Sequence, residues 1–215
     1  MRTTGCSKPP VSGCVRRIDA MRRLLPLLLA AAAVTGCVSA RPPAPAAAAP
    51  APWDQRLLQL QQAGHWQLAG RAAVAVGTQG WQASLDWRQA AADSQVHLAG
   101  PLGVGALSIT MTPAGLSLNG ASPSDAVLGQ LQERLGFELP LEDLRYWLLG
   151  APNPATPAAV ERNDQDRARQ LTQDGWTVDY DRYRPVQGDW LPSRLSLTRE
   201  GVRVRVVVDH WEGPS

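Results

Sequence analysis

The sequence is poor in several things at once. Lysine occurs once, at Lys8, phenylalanine occurs once, and there are three tyrosines and three cysteines among 215 residues. No apolar run approaches the ~20 residues that a permanent membrane-spanning helix needs. The longest, Leu24 to Val34, is about half that length. The histidines His65, His97 and His210 are far apart, and none has a His or Cys at metal-ligand spacing. There is no Gly-x-Ser-x-Gly elbow and no glycine-rich loop able to cradle phosphate. Metal, nucleotide and serine-hydrolase chemistry therefore have no candidate motif, and no cofactor is expected. The acidic pairs Glu142/Asp143 and Asp179/Asp181 lie beside arginines. They are expected to be solvated surface rather than a paired-carboxylate site.

The short apolar run is itself informative. Arg22 and Arg23 precede it, and Val34-Thr35-Gly36-Cys37 closes it. A positive segment, a short apolar segment and small residues at a cleavage point make a secretory signal. An aliphatic residue, two small residues and cysteine resemble the bacterial lipobox, whose cysteine is lipidated and becomes residue one. Cys37 is thus expected to carry a lipid in a membrane facing the periplasm, with 1–36 as signal peptide. Met21 is the natural start, and residues 1–20 are an extended signal or an upstream start. Cys6 and Cys14 fall on the discarded side, so the mature chain can form no internal disulfide and relies on its core.

Removing the signal changes the charge. Six of 21 Lys and Arg and one of 19 Asp and Glu precede Cys37, leaving 15 against 18 and a net charge of −3. The remaining basic residues are all arginine and form no run, which argues against a nucleic-acid partner. The aromatic balance is the opposite of poor in one respect. Eight tryptophans all follow the signal. Trp supplies broad, rigid apolar area with one donor, and eight in one small domain suggest an apolar concavity.

Residues 37–52 hold the lipidation site and a Pro/Ala tether with nothing to bury. One domain is expected over 53–215. Trp53, Leu57 and Leu60 have helical spacing. From Trp66 the apolar period becomes two, and strands are expected over 66–76, 81–87, 95–99, 104–111 and 116–118. Ser124 is a candidate N-cap for a helix ending at Gly136, and a second helix fits Leu141 to Leu149. Ala151 to Pro157 reads as a loop. Strand period returns at 169–171, 176–183, 194–198 and 202–211, with Trp190 in a polar loop between them. Mostly one-sided strands mean an antiparallel sheet with one face buried. Segregated helices then give an α+β class, its sheet long enough to curl with the Trp-rich side concave.

In order along the chain stand Trp53; Gly70-Arg71; Leu85-Asp86-Trp87; and Gly100-Pro101-Leu102-Gly103. After them come Leu141-x-x-Leu144-x-x-Trp147-Leu148-Leu149-Gly150, Gly175-Trp176-x-Val178-x-Tyr180, Leu191-Pro192 and Asp209-His210-Trp211. Behind a lipobox, that series resembles the LolB family of outer-membrane lipoproteins. The resemblance implies a strongly curved antiparallel β-sheet, an incomplete barrel, lidded by about three helices around an apolar cavity. It implies an acceptor, not an enzyme, that takes acylated lipoproteins from a soluble periplasmic carrier and inserts them, without ATP, into the inner leaflet of the outer membrane. Val38 after the lipobox cysteine is compatible with that sorting.

The expected cavity wall is Trp66, Leu68, Val74, Leu85, Trp87, Trp147, Trp176 and Trp211. From the residues alone, Leu102 is expected to fold back on the core, as apolar side chains do. The resemblance implies instead that it projects from a membrane-insertion loop with Pro101 and Gly103. A monomer is expected. The competing readings are a tethered lipoprotein that docks another envelope protein, and a lipid hydrolase with an unrecognised site.

Overall fold

The computed structural model describes residues 52–121 and 126–214. The expected lipidation site Cys37, the start at Met21 and the cap at Ser124 lie outside these residues. Helix α1 (Trp53–Gln62) leads into five strands: β1 (His65–Val76), β2 (Gln79–Ala90), β3 (Asp93–Ala99), β4 (Leu107–Thr112) and β5 (Gly115–Leu118). Helices α2 (Ala126–Leu135) and α3 (Leu141–Trp147) follow, then β6 (Ala158–Arg162), β7 (Ala168–Gln173), β8 (Trp176–Val186), β9 (Asp189–Arg199) and β10 (Val202–Glu212).

All ten strands form one sheet in the order β5-β4-β3-β2-β1-β10-β9-β8-β7-β6, with every neighbouring pair antiparallel. The central pairing of β1 with β10 joins the two halves of the chain. It also explains why the sequence splits into two runs of strands around a helical middle. β5 and β6 have no outer partner, so the sheet is an open one rather than a closed barrel. Alternate residues of each long strand are buried, as in β2, where Ala83, Leu85, Trp87 and Gln89 point inward and their neighbours point out. The inward faces of β1 to β5 and β7 to β10 contribute to one core cluster together with all three helices. A sheet whose strands share one core must curl around it.

The curl has a visible device at its centre. The β1–β10 ladder slips register between Ala69 and Gly70, and a Cβ on Gly70 would stand 2.2 Å from the carbonyl oxygen of Val207. Only glycine lets the two backbones approach this closely, and bulges of this kind bend strands.

Three differences from the sequence expectation have physical causes. β6 was not expected, because Ala-Ala-Val-Glu-Arg is an exposed edge strand with no alternating apolar face. Helix α3 stops at Trp147, and Leu148 to Gly150 continue as a turn ending at Gly150 with φ +86°. Trp190 lies in β9 rather than in a loop, because the turn is only Gln187-Gly188, both with positive φ.

The two ends of the sheet differ. At one end lie α1, the β2–β3 and β4–β5 turns, and the turns at 163–167 and 187–188. At the other lie the β1–β2, β7–β8 and β9–β10 turns and the loop from Gly100 to Ala106 between β3 and β4.

Candidate functional site

The β3–β4 loop is the most exposed apolar feature of the domain. Pro101 to Gly103 form one turn of 3-10 helix with Leu102 at φ +58° and Gly103 at φ +77°. Left-handed backbone is costly for a leucine, yet three backbone bonds hold it there. Gly100 N–H donates to the Val104 carbonyl at 3.1 Å, Gly103 N–H to the Gly100 carbonyl at 2.9 Å, and Val104 N–H to the Pro101 carbonyl at 3.3 Å. A Cβ on Gly100 would stand 2.6 Å from the Val104 oxygen, so glycine is required to close this loop. The result places Leu102 at 103% exposure and Val104 at 73%. Leu102 therefore projects and does not fold back on the core. Pro101 and Gly103 are exposed beside it.

Behind the loop is an apolar cleft of about 490 Å³, lined by Trp81, Ala83, Leu98, Val104, Leu107 and Leu135, with Arg134 at its rim. A larger cleft of about 830 Å³ lies at the opposite end of β3 and β4, between the β4–β5 hairpin and helices α2 and α3. Its apolar wall is Met111, Leu116, Leu128 and Leu139, and Asp143, Arg145, Tyr146 and Asn153 add polar groups.

The eight expected cavity residues all face inward, between sheet and helices. Trp66, Leu68, Val74, Leu85, Trp87 and Trp211 come from β1, β2 and β10; Trp147 from α3; Trp176 from β8. All eight are buried and belong to the one core cluster. They form two aromatic groups. Trp66 stacks on Trp87 with centroids 5.8 Å apart and meets Trp211 at 5.7 Å. Trp147 lies 6.4 Å from Trp176, which Phe137 meets edge-on at 6.1 Å. Neither of the two clefts is lined by any of the eight, whereas Leu68 and Trp87 border a groove of about 510 Å³ together with Asp86, His97 and Ser108. The clefts use Trp81, Met111, Leu116, Leu128 and Leu135 instead. The sequence signal for these was weak, because partial exposure at strand ends and on the outer face of α2 depends on neighbours far away in the chain.

Most polar groups inside the core are matched, the exceptions among the described residues being Trp176 Nε1 and one terminal nitrogen of Arg56, both buried without a partner. Gln173 accepts from Trp147 Nε1 at 2.8 Å and from Asn153 N–H at 3.0 Å, and it donates to the Asn153 and Thr156 carbonyls. Trp87 Nε1 donates to Gln89, and Trp211 Nε1 to the Pro192 carbonyl. Tyr180 and Tyr183 donate to the carbonyls of Trp147 and Ala168. Burial pushes both phenols well above the ordinary tyrosine range, since a phenolate would lose its hydration. Burial likewise raises the Asp143 carboxyl, a shift that the hydrogen bond from Asn153 opposes. Arg56 is buried at α1, bonded to Asp189 at 2.8 Å and to the Trp190 carbonyl, and it fastens the helix to β9.

On the outer face of the sheet, Asp86, His97 and Ser108 fall in one row across β2, β3 and β4. His97 Nδ1 and Ser108 Oγ are 3.0 Å apart. All three residues are exposed. The four ion pairs among the described residues include neither Asp86 nor His97. The row therefore lacks the oriented base that a triad needs. No cluster of metal-binding side chains occurs among the described residues.

The model for "Outer membrane lipoprotein LolB" matches residues 64–211, from before β1 to the end of the Trp66–Trp211 group. The chain belongs to the LolB family. An outer-membrane lipoprotein LolB of Thiobacillus denitrificans is 34% identical over 199 residues, covering 89% of this chain and 98% of its own. One of Nitrosococcus oceani is 31% identical over 195 residues, covering 88% and 97%. A solved LolA superfamily protein of Nitrosomonas europaea is similar over 76% of this chain and 94% of its own, with TM-score 0.47 and 10% identity. Within the LolB match lie both clefts and the Leu102 loop.

Proposed function

We propose that this LolB-family chain is an outer-membrane lipoprotein, anchored through Cys37, that accepts acylated lipoproteins from a soluble periplasmic carrier and inserts them into the membrane. The observation that carries this reading is Leu102, held fully exposed in a strained turn above an apolar cleft. Leu102 is the most exposed large apolar side chain among the described residues, and one presented in this way is suited to enter a bilayer.

The transfer is a solvation problem. Each CH₂ removed from water is worth about 0.8 kcal/mol, so a lipoprotein with several chains cannot cross an aqueous gap bare. An apolar cavity carries the chains, and the bilayer is the final sink. Directionality then comes from differential affinity rather than from ATP. Trp66, Leu68, Val74, Leu85, Trp87, Trp147, Trp176 and Trp211 form the wall against which the chains lie once the helices give way. They offer large apolar area, and the indole N–H groups of Trp87, Trp147 and Trp211 are already matched within the protein.

A two-stage assay tests this. Fluorescent lipoprotein is offered first on the carrier, then vesicles are added, and the protein-bound and vesicle-bound fractions are scored separately. Leu102→Glu should still take cargo but fail to deliver it, because a carboxylate resists entering hydrocarbon. Normal delivery by a folded Leu102→Glu protein would exclude the loop as the insertion element. A wild-type protein that takes no acylated cargo would favour the docking-lipoprotein reading instead. Mass spectrometry of membrane-extracted protein should find an acylated N-terminal Cys37, and an unmodified thiol there would overturn the anchoring.

A further inference from the structure

We infer that cargo enters and leaves this domain at opposite ends of β3 and β4, and that the cleft between the β4–β5 hairpin and helices α2 and α3 is the receiving mouth for its acyl chains. The inference rests on the acceptor reading above and adds a direction of travel to it.

The geometry is asymmetric in a useful way. β3 rises toward the Leu102 loop and β4 returns from it, so Ala92, Ser94 and the Thr112–Gly115 turn lie at the far end. At about 3.4 Å per residue, the six residues of β4 separate the two ends by roughly 20 Å. Each end has an apolar cleft, and each has one exposed leucine beside it. Leu102 stands at the small cleft, and Leu128, 60% exposed on α2, stands at the large one.

The large cleft suits an amphiphile. Met111, Leu116, Leu128 and Leu139 make one wall. Across from it, Asn153 donates to Asp143 at 2.8 Å and Arg145 lies over the Tyr146 ring. Burial raises the Asp143 carboxyl, which marks this wall as partly desolvated. An acyl chain fits the first wall, and the amide groups of an acylated cysteine fit the second. The small cleft has no such polar wall, only Arg134 and Gln82 at its edge, as expected of a site that gives chains to a bilayer.

Helix α2 is what separates the two. Leu128 near its start borders the large cleft; Arg134 and Leu135 at its end border the small one. Val127, Leu131 and Leu135 face inward and bury the stripe between them. Among the described residues, no side chain of 126–135 makes a hydrogen bond or ion pair, whereas α1 is fixed by Arg56 and Gln61 and α3 by Asp143 and Trp147. Acyl chains can therefore replace the contacts of α2 with like contacts, and no polar bond has to break. Val96, Leu98, Leu107 and Ile109, on the inward faces of β3 and β4, are buried in the same core as this stripe.

The test uses the full lipidated protein and a synthetic triacylated cysteinyl peptide bearing a fluorophore, presented on the carrier and then chased with phospholipid vesicles. Leu128→Glu should slow loading at least tenfold while peptide already loaded leaves for vesicles at the wild-type rate. Leu102→Glu should do the reverse. Leu128→Gln, polar but uncharged, carries the same test if Leu128→Glu lowers the melting temperature. Wild-type loading by the folded Leu128 variants would overturn the receiving mouth and leave the acceptor reading intact, as would equal slowing of loading and release. Wild-type protein that takes no peptide would refute the acceptor reading itself.

Discussion

Leu102 and Gly70 show how single residues carry different burdens in this domain. Leu102 makes its contribution outside the core, so its loss should barely register in stability. Leu102→Glu should cost less than ~1 kcal/mol by chemical denaturation, against the 2–5 kcal/mol typical of a buried leucine truncation. A loss in the latter range would mean that the loop packs in solution. Gly70 is the opposite case. A methyl group there would meet the Val207 oxygen at 2.2 Å, and backbone cannot step aside as a side chain can. Gly70→Ala should therefore destabilise by about 1–3 kcal/mol, the range for overpacking, and a melting temperature equal to wild type would show that the β1–β10 bulge relaxes freely. Gln173 is a third kind. It satisfies Trp147 Nε1, the Asn153 N–H and two carbonyls at once. Gln173→Ala strands several of these in a fully buried site, and each orphan costs ~1–3 kcal/mol. A loss of about 3 kcal/mol or more is expected in urea unfolding.

At the level of elements, the period-two pattern placed β1, β2, β3 and β10 closely, because each has a buried and a solvated face and tryptophan or valine on alternate positions. It missed β6 for the complementary reason, since an exposed edge strand leaves no alternation to read. Trp190 was misplaced because two positive-φ residues, Gln187 and Gly188, complete a turn for which a longer loop had been expected. Site legibility followed the same division. Inward-facing tryptophans were readable from period alone, two for Trp66, Trp87, Trp176 and Trp211 on strands and helical for Trp147, and the structure shows all five buried. The clefts were not readable. Their walls join Trp81 to Leu135 and Met111 to Leu139, residues brought together only when α2 lies beside the hairpin. Turn chemistry marked the Gly100–Gly103 loop, but the outward direction of Leu102 needed the family resemblance, since nothing in Pro-Leu-Gly itself chooses between water and core.

For the whole molecule, the buried phenols make stability a function of pH that can be predicted in sign. Tyr180 and Tyr183 both sit in the core, donating to backbone carbonyls, and burial raises both above the unfolded value near 10. Below pH 10 both states keep these protons, and the two groups add no pH dependence. Above it the unfolded chain releases them while the folded protein holds them, so the folded state binds more protons and stability must fall as pH rises. Denaturation midpoints should thus decline from about pH 10 upward. In Tyr183→Phe, which removes one titrating group along with its bond to the Ala168 carbonyl, the decline should be shallower even though the starting stability is lower. The test is a set of urea titrations from pH 8 to 11.5 on wild type and Tyr183→Phe. A flat wild-type profile would mean that water reaches the phenols in the folded state, as it would if the aromatic core opened often. Parallel slopes would assign the alkaline loss to Tyr180 alone. The experiment therefore also reports how firmly the aromatic core is closed against water.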